Sequence, residues 1–252
     1  MSGSALAGRS ALIIGASRGI GAATAELLGG LGVRLVLAAR DVAALESVAR
    51  RITDAGGQAD TVGLDLLDLG SVRSGVEEAV RRLGGLDIAV NNAGSSQPLS
   101  AFHDITEEMF AHDYGVNLRG VFAAMQSEVR AMLDAGSGSV VNVGSVASFI
   151  GSGRLAAYSA TKHGLLGLTK SAAVEYAGSN VRINLVAPGP TRTDMLVGEA
   201  ALRRITPMGR AAEPIEIARA IAWLASDDSS FVTGIALPVD GGLTISATRS
   251  GE

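Results

Sequence analysis

Residues 10–21 read Ser-Ala-Leu-Ile-Ile-Gly-Ala-Ser-Arg-Gly-Ile-Gly, a short apolar run followed by three closely spaced glycines. Residues 10–14 have the composition of a buried strand, and a pattern of helical period follows over 19–31. Glycines at a strand-to-helix turn permit a tight bend and let backbone amides approach a pyrophosphate at the positive end of the helix. The stretch therefore predicts a strand, a phosphate-binding loop and a helix.

The same alternation of apolar runs and helical patterns continues along the chain. The predicted strands are 10–14, 33–38, 59–64, 86–90, 139–143, 181–186 and 235–239. The predicted helices are 19–31, 42–55, 72–83, 107–133, 158–177 and 214–225. Strands separated by helices form a parallel sheet with right-handed crossovers. The expected fold class is therefore α/β: a Rossmann-like, doubly wound, seven-stranded parallel sheet with helices on both faces.

One domain over 1–252 is expected, because a single α/β domain can reach this length. Residues 144–157 and 189–213 interrupt the alternation, and long irregular loops of compact domains are usually functional. We expect the second of them to form a lid over a substrate, and 243–252 to be a short tail. Ligands of such sheets bind at the carboxyl ends of the strands.

Composition excludes several classes of protein. The net charge is −4, which disfavours a nucleic-acid partner, and there is no cysteine for a disulfide or a thiolate nucleophile. The chain has no apolar run long enough for a membrane span and no leader pattern, so a cytoplasmic protein is expected. The three histidines form no ligand pattern, so no metal is expected.

Tyr158 and Lys162 lie four residues apart at the start of a predicted helix, so their side chains share one face. An ammonium beside a phenol favours the phenolate, which should move the tyrosine pKa towards neutral pH and suit it to acid/base catalysis. Only two of the 21 basic residues are lysines and only three residues are tyrosines, so this spacing is expected about 0.02 times by chance.

These motifs together resemble the short-chain dehydrogenase/reductase superfamily, in its 250-residue branch with Tyr-x-x-x-Lys. The resemblance runs from about Gly8 to Gly242. It rests on a G-x-x-x-G-x-G loop and on further motifs that keep the order and spacing of the family: Asn91-Asn92-Ala93-Gly94, Asn117, Ser145, Tyr158-Ser-Ala-Thr-Lys162 and Pro188-Gly189.

The resemblance implies catalytic roles for four residues. Tyr158 would exchange a proton with the substrate oxygen, and Lys162 would also hold the nicotinamide ribose. Ser145 would orient the substrate oxygen, and Asn117 would support a water in the proton relay. Hydride transfer would use the B face of the nicotinamide. Two departures from the family pattern are Ile14 in place of a threonine, which should loosen the glycine loop, and Gly144 in place of a serine.

The resemblance also implies the cofactor contacts. They are Gly15, Ser17, Arg18, Gly19, Ile20, Gly21, Arg40, Asp65, Leu66, Asn91, Ala93, Gly94, Tyr158, Lys162, Pro188, Gly189, Thr191 and Thr193. An NAD enzyme places an acid at the end of the second strand, where this chain has Ala39. Arg40 and Arg18 suit a 2′-phosphate, so NADP(H) is favoured over NAD(H), unless the strand ends later and Asp41 serves as that acid.

Apolar residues in the irregular segments predict the substrate pocket. The expected substrate-binding residues are Ser145, Phe149, Ile150, Leu155, Tyr158, Met195 and Leu196. The favoured activity is hydride transfer between NADP(H) and a small ketone or secondary alcohol. The alternative within the family is a 3-oxoacyl-[acyl-carrier-protein] reductase, whose carrier-binding arginines correspond here to Gly136 and Ser179.

Other classes of protein fit the sequence less well. A serine hydrolase lacks its G-x-S-x-G elbow here. A sugar-nucleotide epimerase needs more sequence after Gly242. A non-catalytic nucleotide-binding regulator or scaffold remains open, although the complete Ser/Tyr/Lys set disfavours it. The resemblance implies a homotetramer built on the helices that begin near Glu107 and Tyr158.

Overall fold

A computed structural model describes residues 6–194 and 206–246. Seven parallel strands form one sheet in the order β3-β2-β1-β4-β5-β6-β7. The strands are β1 (Ser10–Ile14), β2 (Arg34–Ala39), β3 (Gln58–Gly63), β4 (Ile88–Asn91), β5 (Gly138–Val143), β6 (Val181–Pro188) and β7 (Ala236–Val239). The order reverses between β1 and β4, and a crevice at such a point is where open α/β sheets bind ligands.

Helices cover both faces of the sheet, as the sequence predicted. They are α1 (Gly19–Gly30), α2 (Val42–Asp54), α3 (Leu69–Leu83), α4 (Glu107–Tyr114), α5 (Val121–Ala135), α6 (Ala156–Tyr176) and α7 (Pro214–Ala225). One core joins β1 to α3, α5 and α6 through residues such as Leu12 and Leu165. The other joins it to α1, α2 and α7 through residues such as Ile13 and Ile217.

The central strands are buried on both sides because successive side chains of a strand point to opposite faces. Leu12 and Ile14 belong to one core and Ala11 and Ile13 to the other, and all four are at most 2% exposed. This explains why β1 reads as a continuous apolar run with no alternation. The strand therefore carries the glycine loop on a rigid base.

The predicted helix over 107–133 is wrong in one respect. The helical path is continuous, but a π-helical turn, Gly115–Gly120, separates α4 from α5. Added side chains would collide with Leu67 at Gly115 and with the Leu66 carbonyl at Gly120. The chain passes close to the segment after β3 here, and a π turn of this kind is frequent at functional sites.

The two irregular segments are only partly irregular. Residues 144–157 contain a short 3-10 turn, Val146–Ser148, and α6 begins two residues before Tyr158. In the second segment, Thr191 pairs with Ala212 in an isolated bridge, so the two described flanks of the predicted lid lie side by side. No helix in the ranges 6–194 and 206–246 is both long and apolar enough to span a membrane.

Candidate active site

The glycine loop follows β1 and packs against the segment after β4. Gly15 has a φ of 86°, and a side chain there would come within 2.5 Å of the Ala93 amide nitrogen. The Asn92 side chain donates to the Gly15 carbonyl at 2.8 Å, and the Ala93 amide donates to the Ile14 carbonyl at 2.9 Å. Backbone hydrogen bonds therefore tie the two segments together although Ile14 provides no hydroxyl group.

The start of α1 is suited to a phosphate. No side chain caps it at Arg18, and its first turn carries no acidic residue. The amides of a helix's first turn have no intrahelical acceptor, and they attract anions. Thr193 lies against this loop, because a side chain at Gly19 would meet the Thr193 methyl group at 3.0 Å. The glycine loop and the start of the predicted lid therefore lie against each other and form a cradle at the start of α1.

The end of β2 bears on which nicotinamide cofactor would fit. The strand ends at Ala39, and Arg40 is exposed beside it. Asp41 caps α2, and its side chain accepts a hydrogen bond from the Ala44 amide at 3.0 Å. Asp41 is therefore engaged in its own helix, which leaves Arg40 as the charged side chain at the strand end.

Arg18 has a partner on the opposite side of the cradle. Its guanidinium lies 3.4 Å from an Asp194 carboxylate oxygen, and both side chains are about three-quarters exposed. An exposed ion pair of this kind contributes little to stability. Another anion, such as a phosphate, could therefore easily replace the Asp194 carboxylate beside Arg18.

Several residues predicted to contact the cofactor turn their side chains into the protein. Asn91 is 2% exposed and donates to Glu128 and to Asn142, each at 3.0 Å. Leu66 packs in the core, and the Asp65 carboxylate accepts from the Leu67 amide at 3.0 Å. Asn91 and Leu66 would therefore have only backbone groups to offer a cofactor.

Other predicted contacts lie in the segments that follow β4 and β6. A side chain at Gly94 would come within 3.6 Å of the Lys162 Nζ atom. Gly189 follows the buried end of β6 and has no room for a side chain beside Asp240. Thr191 donates to the Gly189 carbonyl at 3.0 Å, which shapes the turn that follows.

Three of the four predicted catalytic side chains converge at the carboxyl end of β5. Lys162 is 3% exposed and its Nζ donates to the Val143 carbonyl at 2.9 Å. The same Nζ lies 5.7 Å from the centre of the Tyr158 ring. Ser145 follows β5, and an interaction of its hydroxyl group with the Tyr158 phenol lowers the pKa of that phenol. The two residues spaced four apart on α6 therefore face the same strand end as Ser145.

Asn117 lies in the π turn, and its side chain is fully engaged. Its Oδ1 accepts from the Ser95 amide at 2.9 Å, and its Nδ2 donates to the Ser95 carbonyl at 2.8 Å. A role of Asn117 in supporting a water stays a prediction. The side chain itself holds the segment after β4 in place.

The pKa of Tyr158 departs from the prediction. Burial raises it, the hydrogen bond with Ser145 lowers it, and the negative charge of Asp113 raises it, so that the net direction is upward. The lysine was expected to lower this pKa, but the shift is upward because the removal of the phenol from water disfavours the phenolate. Burial also lowers the pKa of Lys162 to about 8, against the raising effect of Asp113.

A pocket opens beside Tyr158. Its apolar wall includes Pro98, Ile105, Met109, Leu155 and Ala157, and its polar members include Gln97, Asp113 and Arg154. Of the predicted substrate residues, Leu155 and Tyr158 line this pocket. Phe149 and Ile150 belong to the neighbouring loop and are not among its lining residues, whereas Met195 and Leu196 lie outside the described residues.

The lining residues from 97–113 were missed by the sequence reasoning. Met109 lies two helical turns before Asn117 and Asp113 lies one turn before it, so the helical spacing that ends at Asn117 was the available signal. The loop residues Gln97 and Pro98 carried no such signal. Their position depends on the hydrogen bonds between Asn117 and Ser95.

The comparisons with known proteins agree with this fold. A family model described as enoyl-(acyl carrier protein) reductase matches residues 15–244. The chain is 43% identical to a cis-4-hydroxycyclohexanecarboxylate dehydrogenase of Sinomonas cyclohexanicum, over 96% of this chain and 99% of the relative. It is 40% identical to a cyclohexanol dehydrogenase of an Acinetobacter strain, over 93% and 94%.

A solved structure adds to these relatives. A 3-ketoacyl-(acyl-carrier-protein) reductase of Brucella melitensis complexed with NADH matches with a TM-score of 0.91 and 34% identity, covering 95% of this chain and 99% of that chain. The chain belongs to the short-chain dehydrogenase/reductase superfamily. It is therefore an oxidoreductase of the nicotinamide-dependent class.

Proposed function

We propose that this protein interconverts a ring-borne secondary alcohol and its ketone with NADP(H), with Tyr158 as the general acid and base. The observation that carries the proposal is the cluster of Ser145, Tyr158 and Lys162, with the lysine Nζ 5.7 Å from the phenol ring beside an apolar pocket. The bound nicotinamide would supply or accept the hydride.

The chain's own residues supply the proton chemistry. In the direction of reduction, the Ser145 hydroxyl would orient the carbonyl oxygen, and the Tyr158 phenol would give its proton to that oxygen as the carbon receives the hydride. In the direction of oxidation, the phenolate would take the proton of the alcohol. The Lys162 ammonium, fixed by the Val143 carbonyl, would stabilise that phenolate and hold the ribose.

Arg40 supports NADP(H) over NAD(H). An NAD enzyme uses an acid at the end of β2 to accept bonds from the ribose, and this chain has Ala39 there, with Asp41 engaged as the helix cap. A guanidinium makes charge-assisted bonds to a phosphate. The 2′-phosphate would thus bind beside Arg40 and, after exchange of Asp194, beside Arg18.

The choice of a ring-borne alcohol rests on the pocket and on the two relatives that are named for cyclohexane alcohols. The reductase of carrier-bound 3-oxoacyl groups is the second candidate, supported by the NADH-bound relative named for that activity. It is disfavoured because Gly136, with a φ of 82°, ends α5, and Ser179 lies in the turn after α6. Neither residue provides a positive charge for the carrier.

A turnover panel tests the proposal. Cyclohexanol, 4-hydroxycyclohexanecarboxylate, the matching ketones and an acetoacetyl thioester would be assayed with each nicotinamide by absorbance. We expect oxidation or reduction of the cyclic compounds with a preference for NADP(H). Activity confined to the thioester would instead establish the second candidate, and no turnover with any of them would support a regulator or scaffold.

The variant Tyr158→Phe tests the mechanism. It removes the exchangeable proton and little else, so turnover should fall by a factor of about 100 or more while NADPH still binds. Tyr176→Phe is the matched control, because Tyr176 lies at the exposed end of the same helix. Retained turnover in the Tyr158 variant would refute the role of the phenol.

A further inference from the structure

Asp113 is a buried acid in the wall of the proposed substrate pocket. It is 1% exposed and lies on α4, one helical turn before Asn117. Its Oδ1 accepts a hydrogen bond from the Ser95 hydroxyl at 3.1 Å, and the carboxylate also interacts with the backbone amide of Gln97. The pocket that Asp113 lines is the one that Tyr158 lines. An acid in an otherwise largely apolar wall is costly unless it has a partner.

Lys162 lies beside the segment that binds Asp113, because an added side chain at Gly94 would come within 3.6 Å of the Lys162 Nζ atom, and the next residue, Ser95, donates to Asp113. The Lys162 ammonium is almost completely buried and makes a hydrogen bond with a neutral carbonyl. A buried ammonium is strongly disfavoured without an opposite charge. The charges of Asp113 and Lys162 act on each other, each favouring the ionised form of the other, and the charge of Asp113 also acts on Tyr158.

Other charged or titratable groups surround this carboxylate. His112 lies on the same helix, and its Nδ1 is 3.9 Å from the Asp113 Oδ1. The same nitrogen lies 2.8 Å from Nε2 of the Gln97 side chain. From α6 come Tyr158 and Lys162, and from the loop before α6 comes Arg154, at the pocket wall. The segment after β4 contributes only the neutral Ser95 and Gln97.

We propose that Asp113 is a positioning residue of the catalytic centre, whose carboxylate serves as the counter-charge of Lys162 and sets the balance between the acid and base forms of Tyr158. The inference rests on the proposed function of Tyr158. Ser95 links this counter-charge to the π turn, because its hydroxyl binds Asp113 while its backbone binds Asn117. Asp113 would act on the reaction through Lys162 and Tyr158.

The sign of the effect follows from electrostatics. A negative charge near a phenol disfavours the phenolate, so Asp113 holds Tyr158 in its protonated form to higher pH. The protonated form is the one needed to reduce a ketone, and the phenolate is the one needed to oxidise an alcohol. Removing the charge should therefore move the rising limb of alcohol oxidation to lower pH.

The variant Asp113→Asn removes the charge and keeps the acceptor oxygen for Ser95. We expect the rising limb of log(kcat/KM) for alcohol oxidation to move to lower pH, and the ratio of oxidation to reduction rates at pH 7 to rise about threefold or more. Asp104→Asn is the control, since the Asp104 side chain is 67% exposed on the turn before α4. Its profile should superimpose on that of the wild type.

A second variant and a spectroscopic titration protect the test against a folding defect. Ser95→Ala keeps the charge but removes a hydrogen bond that favours the ionised carboxylate, so it should shift the limb in the same direction by less. An ultraviolet titration of phenolate in Asp113→Asn, with Tyr114 and Tyr176 changed to Phe in variant and reference, reads the phenol directly. The phenolate should form at lower pH in the variant.

Different results would overturn the proposed function of Tyr158 and the proposed role of Asp113. If wild-type enzyme turns over and Tyr158→Phe is inactive, but the Asp113→Asn profile and titration match their references, the role of Asp113 is overturned and the proposed function stands. If Tyr158→Phe keeps full activity, the proposed function is overturned instead. A loss of activity in Asp113→Asn with an unmoved pH limb would also contradict a role through charge.

Discussion

At the scale of single residues, burial and charge act against each other at the proposed catalytic centre. The Lys162 ammonium lies over the Tyr158 ring, yet burial keeps the pKa of the phenol above its ordinary value and lowers that of the lysine to about 8. The sequence shows the spacing of these two residues but not the degree to which the fold removes both from water. The direction of the shift is therefore a property of the packing.

Arg40 provides a test of cofactor choice at this scale. Arg40→Ala should weaken NADPH binding about tenfold or more, because it removes a hydrogen bond to a charged group. NADH binding should be nearly unchanged. Binding would be followed by the fluorescence of the reduced nicotinamide. Arg50→Ala, an exposed change on α2, is the control. Equal affinities of the wild type for NADPH and NADH would contradict the proposed preference.

At the scale of helices and strands, the alternation of patterns predicted every strand of the sheet to within about two residues at each end. It did not predict the π turn between α4 and α5. Gly115 and Gly120 lower the helix propensity of this segment, but glycines alone do not indicate a π turn. The close approach of Leu66 and Leu67 comes from a distant part of the chain, so no local pattern could reveal it.

A buried polar group on α5 is another feature that packing alone creates. Glu128 is fully buried, and its carboxylate accepts from the Asn91 amide at 3.0 Å, while its second oxygen has no partner. Burial raises the pKa of Glu128 to about 7, with the Asn91 hydrogen bond opposing. Between about pH 4.5 and pH 7, Glu128 is therefore protonated in the folded protein and ionised in the unfolded chain.

This proton makes stability depend on pH. Because the pKa of Glu128 is raised in the folded state, its contribution to the free energy of unfolding is complete below about pH 4.5. This contribution is lost as the pH rises through about 7. Glu128→Gln should therefore be more stable than the wild type at pH 8, by up to about 3 kcal/mol, and equally stable near pH 5. Thermal unfolding from pH 5 to 8 measures this.

The control for Glu128 is Glu46→Gln, which changes an exposed acid on α2. Its unfolding temperatures should follow those of the wild type at each pH. An unchanged pH dependence in Glu128→Gln would show that the carboxylate is not the source of the effect.

At the scale of the whole molecule, apolar side chains remain exposed on the helices of one face of the sheet. They are Phe110, Tyr114, Phe122, Leu133 and Val174, which are 40–82% exposed. A stable interface buries about 1,200 Å² or more and is often rich in aromatic residues. We propose that α4, α5 and α6 pack against copies of the chain in a homotetramer.

Light scattering tests this assembly. The wild type should have the mass of a tetramer at micromolar concentration, and Phe122→Glu should reduce the mass, because a charge would be buried in the interface. Val42→Glu is the control, since Val42 lies on α2, on the opposite face of the sheet. A monomeric wild type would reject the proposed assembly.

The sequence by itself determined the class of fold and the identity of the residues available for chemistry. Strand and helix periodicity, the glycine spacing after β1 and the spacing of Tyr158 and Lys162 are all local patterns, so they can be recognised without coordinates. The end of β2 at Ala39 was predicted in the same way.

Only the tertiary structure decided which groups surround those residues. The counter-charge at Asp113, the engagement of Asn117 with Ser95 and the inward turn of Asn91 all join segments far apart in the chain. Burial and electrostatic interactions depend on distances in space, and one sequence does not show them until its segments are packed together. For this reason the proposed catalytic pair could be predicted from the sequence, whereas the groups proposed to tune it could be identified only from the fold.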